Sequence, residues 1–299
     1  MSGGDALQEA VSGVLLVDKP VGPSSNAVLQ RSKRLLGARR AGHTGTLDPL
    51  ASGLLVIALG EATKFSGGIL DADKSYRAQL KLGERTETGD AEGPVVSRAE
   101  VKVNRNELLA ALERYRGEIE QLPPRYAAIK HRGRPLYDYA RRGEHVPRAA
   151  RRVAIRRLEL EEFEEDTVGL FVECSKGTYI RVLAEDIGAE LGCGAHLVAL
   201  ERTAVGPFAL GQSMTLEALE AISPAERHER LLPLESLLQS WPRLTLEPPL
   251  AAKFRQGRTI SVDSASGSIA VFGEDAKFLG TGQVDANGTL QPKRLLVLS

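Results

Sequence analysis

Cysteine and long apolar runs are both scarce in this 299-residue chain. The two cysteines, Cys174 and Cys193, are too few for a disulfide framework or a paired-cysteine zinc site, and they favour a reducing compartment. The longest clean apolar run, residues 54–59, is far too short to cross a bilayer. The first ten residues, MSGGDALQEA, are polar and acidic, unlike a secretory signal. These absences exclude membrane and secreted mini-proteins and predict a cytoplasmic location.

Sequence motifs for nucleotides and metals are also missing. The chain has no GxGxxG and no GxxxxGK[ST], which disfavours the two commonest nucleotide-binding folds. It has no HxH or HExxH spacing, so a zinc site is not expected. We therefore predict that the protein uses neither a cofactor nor a metal.

Net charge is absent overall, since 39 Lys and Arg balance 39 Asp and Glu, but the charge is strongly segregated. Residues 125–157 carry eleven Lys or Arg against two acids, a balance of +9, interleaved with three tyrosines and two histidines. Cations can meet phosphates and rings can stack on bases, so this stretch favours RNA. An ordinary solvated basic face, offset by the acidic run that follows it, explains the charge equally well.

Hydrophobic periodicity predicts a mixed α+β fold without a strict βαβ rhythm. Strands are predicted over residues 13–17, 53–59, 75–82, 153–161 and 168–174. Helices are predicted over residues 25–36, 61–70, 106–116 and 179–191, with further helical patterns from 192 to about 238. A loop is predicted over 38–49, a linker over 241–249, and short strands over 269–272, 278–284 and 294–298.

The densest candidate site is the run AGHTGTLDPLASGLL at residues 41–55. Asp48 places a carboxylate on a glycine-rich loop just before a buried strand, and Pro49 biases Asp48 towards an extended backbone. An isolated Asp-Pro pair more often only starts a turn, and a lone histidine such as His43 is more often a hydrogen-bonded loop residue. The residues alone therefore leave open whether this loop is a catalytic site or an ordinary turn.

The same run resembles, nearly letter for letter, the active-site motif of the bacterial tRNA pseudouridine-55 synthases, the TruB family. Further stretches agree in order: GVLLVDKPVGPSS from residue 13, GEATKFS from 60, DKSYRA from 73, CSKGTYIRVLAEDIG from 174 and LGCGAHLVALERTAVGPF from 191. The resemblance covers residues 13 to about 210 and continues more weakly over 250–299.

This resemblance implies two domains. Residues 1–240 would form the catalytic domain, a mixed and mainly antiparallel sheet flanked by helices, with a basic RNA-binding insertion over about 122–152. Residues 243–299 would form a small PUA-like β module that also binds RNA.

The resemblance also implies roles for individual residues. Asp48 matches the catalytic aspartate, Arg181 the arginine that pairs with it, and Tyr76 the tyrosine that stacks on the flipped uracil. His43 matches the histidine that enters the tRNA T loop. Two residues match contacts to the bound nucleotide: Tyr179 and Leu200. RNA-clamping cations are expected within the insertion: Arg141, Arg142 and Arg148.

The implied reaction explains why the sequence has no nucleotide-binding or metal-binding motif. Pseudouridine formation breaks the uracil N1–C1′ bond and forms a C5–C1′ bond, which consumes neither redox equivalents nor phosphate. The base must leave its stack, and a carboxylate can attack C1′ or C6 or act as the base in an elimination. Burial would raise the pKa of Asp48, and a neighbouring Arg181 would oppose this, so we expect an ionised carboxylate in a dry cleft.

Two other functions remain open at this stage. The basic insertion and the terminal β module could serve an RNA-binding or RNA-folding protein that performs no chemistry, and this activity could accompany catalysis. Asp48 could also serve a uracil glycosidase that ends in hydrolysis. For the synthase and for the glycosidase, the expected partner is tRNA, bound through its T stem-loop. The protein is expected to be a monomer and to need neither a protein partner nor a membrane.

Overall fold

The computed structural model describes residues 11–127 and 129–297. The segment 1–10, on which the absence of a secretory signal rested, lies outside the described residues. The strands form one ten-stranded sheet, one five-stranded sheet and two small hairpins. They are β1 (Gly13–Lys19), β2 (Ala41–His43), β3 (Ala51–Leu59), β4 (Lys74–Leu82), β5 (Glu84–Thr86), β6 (Val95–Arg98), β7 (Gly117–Gln121), β8 (Lys130–His131), β9 (Arg134–Pro135), β10 (Arg151–Glu164), β11 (Thr167–Cys174), β12 (Ala195–Val205), β13 (Phe208–Ala209), β14 (Met214–Thr215), β15 (Arg243–Leu246), β16 (Ile260–Ser261), β17 (Gly267–Gly273), β18 (Phe278–Val284) and β19 (Thr289–Leu295).

The helices are short, and most of them follow or precede strands of the large sheet along the chain. They are α1 (Ser25–Leu35), α2 (Gly67–Leu70), α3 (Arg105–Glu113), α4 (Leu136–Arg141), α5 (Ile180–Glu190), α6 (Leu216–Ala221), α7 (Pro224–Glu229) and α8 (Pro248–Arg255). Three 3₁₀ helices span Gly60–Lys64, Leu210–Gln212 and Leu234–Leu238. The helix predicted over 61–70 is thus split into a 3₁₀ turn and α2. None of the helices in the described ranges is long and apolar enough to cross a membrane.

The large sheet confirms the mixed, mainly antiparallel architecture. Its main path runs β14-β1-β3-β12-β4-β11-β10-β7, with β2 paired to β3 and β13 to β12. Among the strand pairings of the described residues, two in this sheet are parallel, β1 with β14 and β3 with β12. Because β3, β12 and β4 are neighbours, the loop before β3 lies close to side chains of β12 and β4.

Strand β1 is a nearly continuous apolar run because both faces of the sheet are covered there. Val14 and Leu16 point to one face, where they pack with aromatic residues of the C-terminal sheet. Leu15 and Val17 point to the opposite face, beneath α1 and α6. Two separate cores therefore hold the strand in register, since a slip of one residue would exchange its two faces.

Two predictions for the region around β3 were wrong in part. Helical patterns were expected to resume after Gly192 and to continue to about 238; α6 and α7 confirm this for the second part, but the first part is β12, which runs through the centre of the sheet. Its apolar residues face cores on both sides of the sheet, so they do not alternate cleanly. The segment 38–49 was expected to be a loop, but β2 pairs with the end of β3. A three-residue strand is too short to show a period.

The C-terminal sheet has the order β15-β17-β18-β19-β16. Strand β15 falls within the stretch predicted as a linker, and the last strand ends at Leu295 instead of continuing to 298, which lies outside the described residues. The sheet packs against the larger one through an edge-to-face pair of Phe65 and Phe278, with ring centroids 5.0 Å apart. This contact joins the C-terminal sheet to the 3₁₀ turn that follows β3.

Candidate active site

The loop that carries Asp48 connects β2 to β3 and is pinned at several points. The Ser25 hydroxyl, at the start of α1, donates to the Leu47 carbonyl (2.9 Å) and accepts from the Leu47 amide (2.8 Å). The Thr44 amide donates to the Val56 carbonyl, and the Ala51 amide donates to the Asp48 carbonyl, both at 3.1 Å. These bonds fix the backbone on both sides of Asp48, so its carboxylate has a defined position.

Arg181 forms an ion pair with Asp48. Its Nη2 lies 3.0 Å from Asp48 Oδ2, and 6% of the Arg181 side chain is exposed against 40% of the Asp48 side chain. Sequence alone favours an ordinary surface cation at this position of α5, but Arg181 is buried. The ion pair that the family resemblance implies is therefore present, although the two residues are far apart in the chain.

The Arg181 guanidinium has three further partners. Nη1 lies 3.3 Å from Asp90 Oδ2 and donates to the Thr88 carbonyl at 3.0 Å. Nη2 donates to the Tyr126 carbonyl at 2.9 Å. The sequence analysis did not single out Asp90, and no sequence signal connects it to Arg181. Two carboxylates and two carbonyls thus hold the guanidinium in one orientation.

Burial raises the pKa of the Asp48 carboxyl above its ordinary value of 3.8, while the charge of Arg181 opposes the rise. Asp90 adds to the increase through its negative charge, and Lys19 opposes it. The Asp48 side chain is 40% exposed, so it is half-buried and is not enclosed in the dry cleft that was expected. A bound substrate would have to supply that enclosure.

Tyr76 lies on β4, directly opposite Arg202 of β12 and Val172 of β11. Its ring packs against the core cluster, and burial raises the pKa of its hydroxyl. Leu200, also on β12, pairs with Ala51 at the start of β3 and with Ala78 of β4. The structure therefore brings Leu200 close to the end of the Asp48 loop.

A groove of about 260 Å³ extends over β3, β12 and β4 and is lined in part by Leu50, Ala78 and Leu200. It offers an apolar floor beside the loop that carries Asp48. A larger groove of about 470 Å³ lies at the ends of α3 and α5, with Glu107 and Arg114 among its lining residues. The larger groove shares no lining residue with the Asp48 region, so size alone does not locate the site.

Tyr179 and His43 flank this region. Tyr179 caps α5; the Gln121 side chain accepts from its amide at 2.9 Å and donates to its carbonyl at 3.2 Å. The Arg151 guanidinium lies over the Tyr179 ring, 5.0 Å from its centroid. Burial lowers the pKa of His43, and the charge of Arg202 lowers it further, which favours a neutral imidazole.

The basic insertion folds into a small hairpin, β8 and β9, followed by the short helix α4. None of its described arginines from Arg125 to Arg152 forms an ion pair within 4 Å. Arg141 and Arg142 are exposed at the end of α4, whereas Arg148 donates to the Pro123 carbonyl at 2.7 Å. Arginines without a carboxylate partner on an exposed segment suit a polyanion better than a folded core.

Sequence analysis also missed Lys19, which is fully buried at the end of β1. Its ammonium donates to the carbonyls of Ala51 (2.6 Å) and Pro20 (2.8 Å). Burial lowers its pKa to about 8 although Asp48 opposes the change. The letters of β1 show no sign that this lysine is internal, so only the fold could place it.

Comparison with known proteins agrees with this geometry. Residues 33–180 match the TruB family pseudouridylate synthase N-terminal domain. Residues 181–239 match the tRNA pseudouridylate synthase B C-terminal domain, and residues 242–296 match the pseudouridine synthase II TruB C-terminal domain. Together these matches define an enzyme of the pseudouridylate synthase class.

Curated relatives extend over nearly the whole chain. The tRNA pseudouridine synthase B of Aromatoleum aromaticum is 51% identical over 287 residues, covering 96% of this chain and 93% of the relative. The protein of the same name from Dechloromonas aromatica is 51% identical over 290 residues and covers 97% of both chains. The chain belongs to the TruB family, as its motifs indicated.

Solved structures show the same fold. The Cbf5-Nop10-Gar1 complex contains a chain that superposes with a TM-score of 0.74 at 25% identity, covering 95% of this chain and 84% of that one. A chain of an H/ACA RNP bound to a substrate RNA containing 2′-deoxyuridine gives a TM-score of 0.71 at 23% identity, covering 95% and 85%.

Proposed function

We propose that this pseudouridine synthase converts uridine 55 of the tRNA T loop to pseudouridine, with Asp48 as its catalytic carboxylate. The observation that carries the proposal is the ion pair of Asp48 and Arg181, at 3.0 Å, on a pinned loop beside Tyr76 and Leu200. A carboxylate held at a buried guanidinium, yet still 40% exposed, can meet a nucleotide that enters from solvent.

The reaction is an isomerisation whose atoms balance without a co-reactant. The N1–C1′ bond breaks, the C5–C1′ bond forms, C5 loses its proton and N1 ends protonated. Asp48 can act in three ways: by attack at C1′, by attack at C6, or as the base of an elimination across the sugar. In each route Arg181 orients the carboxylate, and its charge favours the ionised form that the route requires.

Base flipping would place the uracil between the ring of Tyr76 and the loop of Asp48. Extruding a base costs a few kcal/mol, and stacking on an aromatic ring returns about 1–3 kcal/mol. Tyr76 and Leu200 offer an apolar surface on neighbouring strands, and Tyr179 contributes a second ring near the same edge. His43 would enter the T loop and help to hold the extruded state.

The basic insertion is proposed as the clamp for the RNA backbone, with Arg141, Arg142 and Arg148 as phosphate contacts. Residues 243–299 are proposed as a PUA-like domain that extends the RNA surface beyond a catalytic domain of residues 1–240. The clamp could also help tRNA to fold, because RNA binding by the clamp does not depend on the chemistry.

We further propose that the protein is cytoplasmic and acts as a monomer. Light scattering with and without tRNA tests the monomeric state.

The deciding experiment compares Asp48→Asn with the wild type on unmodified tRNA. Pseudouridine formation should vanish while tRNA binding persists. Asp166→Asn, between β10 and β11, is the matched control and should remain active, because its side chain is 43% exposed and pairs with Lys81 outside the proposed site. Continued isomerisation by Asp48→Asn would refute the role of Asp48, and release of free uracil by the wild type would indicate a glycosidase instead.

A further inference from the structure

Arg202 is a buried arginine at the junction of three strands that build the site. On β12 it lies opposite Tyr76 of β4 on one side and Gly53 of β3 on the other. It is 2% exposed and is the largest fully buried side chain among the described residues. A Cβ added at Gly53 would lie 2.4 Å from the Arg202 carbonyl oxygen, so β3 and β12 approach closely at this point.

The Arg202 side chain reaches across β3 to the catalytic loop. Its Nε donates to the Leu54 carbonyl at 2.7 Å, and its Nη2 donates to the Gly45 carbonyl at 3.1 Å. Gly45 lies three residues before Asp48 on the same loop. Tyr76 lies directly opposite Arg202 across β4 and β12, and Arg202 opposes the rise that burial causes in the pKa of the Tyr76 hydroxyl. One group thus contacts the Asp48 loop and the strand that follows it, and lies opposite the residue that carries the aromatic ring.

The ionic surroundings of Arg202 are unusual. Among the ion pairs within 4 Å in the described parts of the chain, Arg181 has two carboxylates and Arg202 has none. A buried cation is costly without partners, and here carbonyl oxygens take the place of a carboxylate. An apolar residue would fill the space at a lower desolvation cost, so packing alone does not explain an arginine.

We infer that Arg202 is a positioning residue that fixes the catalytic loop relative to the ring of Tyr76. The inference rests on the proposed function, in which the uracil lies against Tyr76 while Asp48 reacts with it. The planar guanidinium can direct separate N–H groups at Gly45 and Leu54, whereas a lysine ammonium is a single point charge on a flexible stem. Arg202 therefore sets the gap that the flipped base must fill.

The first test replaces Arg202 with lysine and measures binding and chemistry separately on unmodified tRNA. Arg202→Lys should lower the single-turnover rate by up to about 10²-fold, the cost of a misplacement of roughly 1 Å. The dissociation constant for tRNA should change by less than about threefold, because Arg202 is buried and meets no phosphate. Losses of equal size in rate and binding would contradict a positioning role.

The second test is a double-mutant cycle with Tyr76→Phe, which removes only the hydroxyl of the ring opposite Arg202. If Arg202 acts through this hydroxyl, the rate loss of Arg202→Lys should be smaller in the Tyr76→Phe protein than in the wild type, by at least about fivefold. Independent, multiplicative losses would overturn the link to Tyr76.

A control at a second arginine shows whether an arginine-to-lysine change outside the site slows the reaction. Arg116 also donates from Nε and Nη2 to a carbonyl, that of Leu158 at 3.1 and 2.8 Å, but it lies outside the site. Arg116→Lys should leave the single-turnover rate within about twofold when rates are normalised to folded protein. If Arg202→Lys fails to fold, the inference is wrong, because Arg202 would then be required for the sheet itself.

The wild type and Asp48→Asn are assayed in the same series. An active Asp48→Asn would refute the proposed function whatever Arg202 does. An inactive Asp48→Asn together with unaffected Arg202 variants would refute only the role of Arg202.

Discussion

Replacing Arg181 with lysine tests the central ion pair directly. The guanidinium makes four contacts, to Asp48 (3.0 Å), Asp90 (3.3 Å), Thr88 (3.0 Å) and Tyr126 (2.9 Å). A single ammonium cannot span all four, because they converge on two different guanidinium nitrogens. We expect lysine to keep a charge in the pocket but to lose the fixed contact with Asp48.

The expected loss follows from one charge-assisted hydrogen bond. Such a bond is worth about 1.5–3 kcal/mol, and the 40% exposure of the Asp48 side chain places this one at the lower end because water screens it. A loss of about 1.5–2 kcal/mol in the transition state corresponds to a roughly 10- to 30-fold slower reaction. Binding of tRNA should change little, since the guanidinium is buried beneath the site.

The assay is a single-turnover measurement of pseudouridine formation, paired with filter binding of tRNA at the same salt concentration. Arg114→Lys is the matched control, because Arg114 also pairs with a carboxylate but is 70% exposed. Equal losses of rate and affinity in Arg181→Lys, or no loss in either, would refute the reasoning.

Three further predictions concern charge, pH and metal. Exchanging Arg141, Arg142 and Arg148 for glutamine should weaken tRNA binding and reduce the slope of log affinity against log salt by up to about 0.9 for each phosphate that is no longer neutralised, with the smallest effect at Arg148. Salt titrations check this, and an unchanged slope would show that the insertion does not meet phosphates. The single-turnover rate should fall on acidification at a pH above 3.8, because burial raises the pKa of Asp48 and its ionised form reacts. A rate–pH profile checks the sign, and an acid limb below 3.8 would contradict it. Exhaustive chelation should leave the rate unchanged on prefolded tRNA; a decrease that added metal reverses would refute the metal-free assignment.

The sequence predicted the elements whose pattern is local. The strands around residues 13–17, 75–82 and 168–174 were found because apolar runs and alternation are visible within a few residues. Strand β12 was missed because its two faces meet different cores, which only the assembled sheet defines. The C-terminal strand β15 was missed for a different reason, because it has four residues and is flanked by prolines.

The candidate site was predictable only where a motif carried it. Asp48 stands in a distinctive run, and the family resemblance pointed to Arg181, whose ion pair with Asp48 the structure contains. Asp90, Lys19 and Arg202 show nothing in the sequence that marks them as internal. Their importance is a matter of distance across strands, and a linear pattern contains no such distances.

The hydrogen bond from Arg181 to the Tyr126 carbonyl connects the root of the basic insertion to the reacting carboxylate. One guanidinium nitrogen serves both partners, so a shift of the backbone at residue 126 alters how firmly Asp48 is held. In the proposed function, tRNA that displaces the backbone at residue 126 on binding the insertion would therefore also change the hydrogen bonding of the nitrogen that pairs with Asp48.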